Sequence, residues 1–509
     1  MTMKSRDVSL GDTTALRMPT VAIVGAGMSG ICMAITLLDA GITDVTIYEK
    51  ADEIGGTWRD NTYPGLSCDV PSRFYQYTFA TNPGWTHLFS PGAEIQSYFA
   101  GVVESHQLRG RIRFGTEIVD ARFTDDRWQL RTATGEVSVV DFLISATGIL
   151  REPRYPNIKG LNDFAGATMH SARWDHTVDT AGRRVAVIGT GSTGVQLVCG
   201  LSGEVGRLAL FQRSAQWVLP LPNPSYTALA APVHRRLPVL DRLGYRGYRD
   251  VFEWFSKALV EPGWRRRAIS QACRANLRTV RDPDLRRKLT PDYQPMCRRL
   301  VISAGFYRAM QRPDVELVTE AIDHVEARGI VTTDGRLHEC DVIVLATGFD
   351  AHAFMRPMNL VGRDDSTIDE LWADGPRAHL TVALPGFPNF FMLMGPHSPV
   401  GNYSLTAIAE TQADHITAWI RRWRNGEFDS VAPKARATER FNAELRAALP
   451  NTVWATGCTS WYLGKDGLPE LWPWSPDRHR EVLEAQPIAG DYDLRVTAKT
   501  SPFGTDDAV

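Results

Sequence analysis

Val21-Ala-Ile-Val24-Gly25-Ala-Gly27-Met-Ser-Gly30 is a short apolar run closed by a glycine triad, and its reading decides the fold. An apolar helical stretch follows to Leu38, and then comes Val45-Thr-Ile-Tyr48-Glu49. The succession is strand, glycine turn, helix and strand, which makes one βαβ unit of the dinucleotide-binding kind. Each glycine has a mechanical task. Gly25 makes the tight turn, Gly27 lets the backbone approach a pyrophosphate, and Gly30 permits close packing of helix on strand. The pyrophosphate is expected at the positive end of the following helix. Glu49, at the end of the second strand, is placed to accept hydrogen bonds from ribose hydroxyls.

The pattern returns later in the chain. Arg184-Val-Ala-Val-Ile188 leads into Gly189-Thr-Gly191-Ser192-Thr193-Gly194, then a helical run, then Leu208-Ala-Leu-Phe211-Gln-Arg213-Ser214. No acid closes this second strand. Arg213 stands there and can pair with a 2′-phosphate, which selects NADPH over NADH. A plain surface salt bridge is the other reading of the same arginine. Asp141-Phe-Leu-Ile-Ser-Ala-Thr-Gly148 and Asp341-Val-Ile-Val-Leu-Ala-Thr-Gly348 resemble one another, each a buried strand that would close a nucleotide unit.

The fold class expected is therefore α/β, with two Rossmann-like dinucleotide-binding domains and a helical insertion. The first domain should be discontinuous, with parts at 1–150 and 351–509. The second should occupy 151–220 and 295–350, with the insertion at 221–294. Between Ala231 and Thr290 the chain carries fifteen Lys or Arg against six Asp or Glu. There Val251, Phe252, Trp254, Phe255, Ala258 and Leu259 can share one apolar helix face. The basic excess suits a solvated surface, a phosphate-bearing cofactor or a membrane surface.

Composition narrows the class. A length of 509 residues, 43% hydrophobic and 22% charged, is that of an ordinary globular protein with several cores. A net charge of −2 argues against nucleic acid as the main partner. The seven cysteines are scattered and form no C-x-x-C pair, so neither a disulfide framework nor a zinc site is expected, and no metal is expected elsewhere. That usage suits a reducing cytosol and disfavours disulfide-reductase chemistry. With no signal peptide and no apolar run of spanning length, a cytoplasmic enzyme is the expectation.

A third feature follows the first unit: Gly55-Gly56-Thr57-Trp58-Arg-Asp-Asn-Thr-Tyr63-Pro64-Gly65-Leu-Ser-Cys-Asp69. Glycine, proline and aromatics make this a tight ordered loop. Together with Phe164-Ala-Gly166-Ala-Thr-Met-His170-Ser-Ala-Arg-Trp174-Asp175, it resembles the fingerprints of the type I Baeyer–Villiger monooxygenases. The related flavin-containing monooxygenases, which oxidise nitrogen or sulfur, have a similar signature without this tryptophan. They are the alternative.

The resemblance implies FAD in the first unit, NADPH in the second and O₂ as co-substrate. NADPH would reduce FAD, a C4a-peroxyflavin would form, and a ketone would become an ester or lactone. In Pro295-Met-Cys297-Arg298-Arg299-Leu300, Arg299 resembles the active-site arginine of that family and Arg298 its companion near the NADP phosphate. Asp69 would orient Arg299. Gly56, Thr57 and Trp58 would lie against FAD, and Trp461 would belong to a segment folding over the nicotinamide. His170 would have a structural or conformational role in a linker. An arginine suits the chemistry because it keeps its proton at any working pH. At about 4 Å and an effective dielectric near 20, a unit pair gains on the order of 4 kcal/mol before desolvation. Leu463-Gly-Lys-Asp-Gly-Leu-Pro-Glu departs from the loop of cyclic-ketone enzymes, so the ketone is left open. A hydrophobic one is expected.

Overall fold

A computed structural model describes residues 16–398, 401–460, 462–465 and 467–496. Two five-stranded sheets, all of whose strand pairs are parallel, organise the chain. In the first, Thr20–Val24 lies between Asp44–Tyr48 and Phe142–Ser145. Ile112–Arg113 and Phe390–Met392 take the edges. In the second, Arg184–Ile188 lies between Arg207–Phe211 and Val342–Leu345, with Val315–Val318 and Ala167–His170 outside them. Parallel strands covered on both faces need continuous apolar runs. Phe142–Ser145 and Val342–Leu345 are buried at every position.

The two expected Ala-Thr-Gly strands therefore sit at matching places beside the two glycine turns. The C-terminal third returns to the first sheet twice, through Phe390–Met392 and through the helix Leu405–Arg424. This helix packs along Met28–Asp39. A mixed sheet (Ile118–Thr124, Arg127–Thr132 and Val137–Val140 antiparallel, with Asn359–Val361 added parallel to the first) flanks the first unit.

The insertion is helical over Ala230–Arg236, Val239–Val260, Trp264–Leu277 and Pro283–Lys288. Its expected apolar face needs one correction. Phe252, Ala258 and Leu259 are buried, whereas Val251 is 57% exposed. Val251 lies about 100° round the helix from Phe252, and that step carries it off the face that packs on Phe74.

Cysteine pairing needs another. Cys297 and Cys458, 161 residues apart, form a disulfide. Sequence spacing carries no sign of it, because the two are brought together only by tertiary folding. The other five cysteines are free.

Candidate active site

The first glycine turn is built by close approach of backbone to backbone. Gly25 has φ of +109°, and a Cβ there would lie 2.6 Å from the carbonyl oxygen of Ala146. A Cβ on Gly30 would lie 1.9 Å from the Gly25 oxygen. Gly27 is different: its nearest neighbour is the Cα of Gly56, at 3.7 Å. Two bare glycines thus face each other where the helix Met28–Asp39 begins, and no side chain caps that end. Free N–H groups beside a glycine cradle fit a pyrophosphate. The buried Glu49 carboxylate accepts from the backbone N–H of Ala26 (2.8 Å) and of Ala51 (3.0 Å), and from Arg59 Nη1 (3.1 Å). Of about four acceptor positions on a carboxylate, one remains for a ligand hydroxyl.

The second turn repeats this construction. Gly189 has φ of +117°, and a Cβ on Gly194 would lie 2.0 Å from the Gly189 oxygen. Gly191 has open space around it at the uncapped start of Ser192–Leu201, so Ser192 and Thr193 form the first turn of that helix. Arg213 is exposed at the end of the neighbouring strand. Arg298 Nη1 donates to Ser214 Oγ at 2.6 Å, and its guanidinium stacks on the Tyr293 ring at 4.4 Å. The Arg298 Nε is buried with no hydrogen-bond partner in the protein. An arginine and a hydroxyl meet there, one residue along the chain from Arg213, and the arginine has donor capacity left over. That fits a phosphate monoester.

The 55–69 loop joins the two units. Tyr63 donates its hydroxyl hydrogen to Gln196 Oε1 at 2.8 Å, and Gln196 Nε2 donates to the Ser67 carbonyl at 2.8 Å. Gly65, at φ +82°, lies against the backbone of Gln196 and Gly200. Gly56 and Thr57 open the short helix Thr57–Asp60. Trp58 Nε1 donates to the Tyr75 hydroxyl at 3.1 Å, and their rings meet edge to face at 5.6 Å.

At the far end of the loop, Arg299 donates three hydrogen bonds to Asp69. Nε reaches Oδ2 at 3.1 Å, and Nη2 reaches Oδ1 and Oδ2 at 2.8 Å each. The side chains are 34% and 21% exposed, so the pair is neither sequestered nor freely solvated. The Asp69 charge first of all, against the cost of burial, holds the Arg299 guanidinium above its ordinary range. It stays cationic at any working pH. Beside it, burial pushes the Cys68 thiol and the Tyr75 phenol up, so both remain neutral.

The segment carrying the arginine pair is held from the C-terminal side as well. Cys297 is joined to Cys458, and the Tyr462 hydroxyl donates to the Cys297 carbonyl. Trp461 lies outside the described residues. His170 is buried, its Nδ1 accepting from the Ala172 N–H at 3.1 Å. Burial holds its pKa below the ordinary value.

Sequence reasoning missed Gln196, Tyr75, Tyr293 and the Cys297–Cys458 pair. Gln196 follows the second triad by two residues and could have been marked as a helix position facing the first unit. The other three carry no local signal.

Two parallel units of the dinucleotide-binding kind, locked together by one loop, meet at an aimed arginine, and the known proteins that this chain resembles make it a flavoprotein monooxygenase enzyme. Residues 22–242 match the pyridine nucleotide-disulphide oxidoreductase family. The three cysteines in that span, Cys32, Cys68 and Cys199, are all free. An uncharacterized monooxygenase of Mycobacterium tuberculosis is 67% identical over 94% of this chain and 97% of its own length. A Baeyer–Villiger monooxygenase of Streptomyces coelicolor is 37% identical over 89% of this chain and 88% of its own. The crystal structure of cyclohexanone monooxygenase from a Rhodococcus species, bound to NADP⁺, superposes with a TM-score of 0.82 at 29% identity. It covers 94% of this chain and 100% of that one. The chain belongs to the Baeyer–Villiger monooxygenase family.

Proposed function

We propose that this chain is an FAD- and NADPH-dependent enzyme that inserts one oxygen atom of O₂ beside the carbonyl of a hydrophobic ketone. Ketone, O₂, NADPH and a proton become an ester or lactone, NADP⁺ and water. The observation that carries this reading is the Arg299 guanidinium, held by three hydrogen bonds to Asp69 at the junction of the two nucleotide units.

Gly25, Gly27, Gly30, Glu49, Gly56, Thr57 and Trp58 would hold FAD, within a domain formed by 1–150 and 351–509. Gly189, Gly191, Ser192, Thr193, Gly194, Arg213, Ser214 and Arg298 would hold NADPH, within 151–220 and 295–350. The 221–294 insertion would cover the second site, and Trp461 would lie over the nicotinamide. Bound FAD, reduced by NADPH, supplies the activation of O₂ that the insertion requires.

The protein's own residues meet two further demands. Arg299 keeps a permanent positive charge where negative charge on oxygen must persist without taking up a proton, and such fixed charge needs no reorganisation during the reaction. Asp69 aims that charge through a fork geometry that a lysine cannot reproduce. The Tyr63–Gln196 and Gln196–Ser67 hydrogen bonds keep the two cofactor units in register. The deciding experiment is aerobic turnover of the yellow protein with NADPH and a mixed panel of ketones and sulfides, read by mass spectrometry. Esters or lactones are expected. Sulfoxides alone, or hydrogen peroxide alone, would overturn the proposal.

A further inference from the structure

The helical insertion carries a surface that this chemistry leaves unused. Sixteen large apolar side chains are exposed among the described residues, and six of them crowd into one short stretch. They are Leu229, Val233, Leu237, Val239, Leu243 and Val251, each between 44% and 74% exposed. Scattered apolar residues are normal on a surface, but a cluster marks an interaction site. Val239 and Leu243 fall on one stripe of the helix Val239–Val260, and the exposed Arg242 and Arg246 share it, while Val251 lies about 120° round from Val239. Arg235 and Arg236 stand exposed on the preceding helix.

These four arginines have no carboxylate within 4 Å among the described residues, because the nearby acids are engaged elsewhere. Asp241 is buried against Arg73 and His234. Asp250 pairs with Arg249, and Glu253 with Arg249 and Arg480.

The inner side of the same helix is already committed. Tyr245 and Phe252 pack on Phe74, and Ser256 Oγ donates to the Gly401 carbonyl. The outward stripe is therefore held outward by its own back face. No helix among the described residues is long and apolar enough to cross a membrane. A helix with aliphatic residues and arginines alternating along one exposed stripe instead suits the plane of a lipid–water interface. A protein partner fits less well. Interface cores are enriched in aromatics, whereas this patch is aliphatic.

We propose that this face docks on the surface of an anionic lipid bilayer. Leu229, Val233, Leu237, Val239 and Leu243 enter the headgroup–acyl boundary, and Arg235, Arg236, Arg242 and Arg246 meet lipid phosphates. Phe74, under the inner face, lies five residues beyond Asp69, so the docked helix would back onto the segment that leads from the proposed oxygenation site. That consequence rests on the functional reading above. Vesicle binding is measured without substrate, so either can fail alone.

The test is co-sedimentation of the full-length protein with vesicles of phosphatidylcholine, either alone or containing about 30% phosphatidylglycerol. Binding at least about tenfold tighter to the anionic vesicles is expected, and it should be lost as salt approaches about 0.5 M. Leu237→Asp with Leu243→Asp should lower partitioning by about tenfold or more, as should Arg242→Glu with Arg246→Glu. The second pair keeps the test informative should the first fail to fold. Equal or no binding to the two vesicle types, or unchanged binding in both variants, would overturn the proposal. So would a concentration-dependent dimer that the aspartate variant dissociates, since a second copy of the chain would then cover this face.

Discussion

Arg299 and Asp69 are 230 residues apart in sequence, yet they meet through three hydrogen bonds of 2.8 to 3.1 Å. Asp69 closes the loop of the first nucleotide unit, while Arg299 belongs to the segment entering the second. The charge proposed to act on oxygen is thus positioned by both halves of the protein at once. Anything that separates the halves also misaims the arginine.

Replacing the arginine separates chemistry from cofactor turnover. Arg299→Ala is expected to lower ester or lactone formation by roughly 100-fold or more, the scale of removing one fixed electrostatic donor. NADPH oxidation should persist, now ending in hydrogen peroxide. The ratio of product formed to NADPH consumed is the measurement. A normal ratio would remove Arg299 from the mechanism.

Asp69→Asn keeps the size of the side chain and removes the countercharge. The guanidinium would lose its aim rather than its charge. Flavin reduction should slow by about tenfold, or coupling fall by a similar factor, the scale of lost orientation at a charged hydrogen bond. Anaerobic stopped-flow mixing with NADPH, followed by a coupling assay, separates the two effects. Unchanged kinetics in both would leave Asp69 a structural partner only.

Arg298 leans on Tyr293 and donates to Ser214, with its buried Nε lacking a partner in the protein. If that donor belongs to the 2′-phosphate, Arg298→Ala should raise KM for NADPH by roughly 10- to 100-fold, the scale of a charged hydrogen bond. KM for NADH should barely move. Parallel increases for both coenzymes would place Arg298 outside phosphate recognition.

The two glycine turns were legible in the sequence because their geometry is local. Gly30 must be bare to clear the oxygen of Gly25, five residues away, and Gly194 repeats the relation with Gly189. The Arg299–Asp69 pair was reached only through resemblance to a family, since nothing in either stretch names the other. Tyr63–Gln196 and Cys297–Cys458 were not reached at all. Such contacts depend on how the two units dock, and docking leaves no periodicity in the chain. Val251 failed for a smaller reason: an apolar run long enough to wrap a helix does not say which of its members faces inward.

The Cys297–Cys458 bond ties the arginine segment to the C-terminal region that contains Tyr462. A cross-link closing a long loop typically contributes about 2 to 4 kcal/mol. Cys458→Ser should lower stability by that amount in urea titration. Reductant should weaken the parent protein to the same level and leave the variant unchanged. A parent protein insensitive to reductant, with free thiols at both positions in a non-reducing peptide map, would refute the cross-link.

Glu410 offers a pH-dependent test of the packing between the first unit and the helix Leu405–Arg424. Its carboxylate accepts from the Thr78 backbone N–H at 2.7 Å and from the Thr78 hydroxyl at 2.8 Å. Burial outweighs these bonds and raises its pKa from 4.5 to about 7. A raised carboxyl pKa means that the folded state binds the proton more tightly than the unfolded state. The stability it contributes is full below the unfolded value, 4.5, falls as pH rises, and is gone above about 7. Each pKa unit is worth about 1.4 kcal/mol at most, and partial solvent access reduces it, so a loss of about 1 to 2 kcal/mol is expected across that window. Glu410→Gln cannot ionise and keeps an acceptor for Thr78. It should match the parent near pH 4.5 and exceed its stability by that margin at pH 8. Equal stabilities at both pH values, measured by urea unfolding, would show that the Glu410 carboxylate is already well solvated in the folded protein.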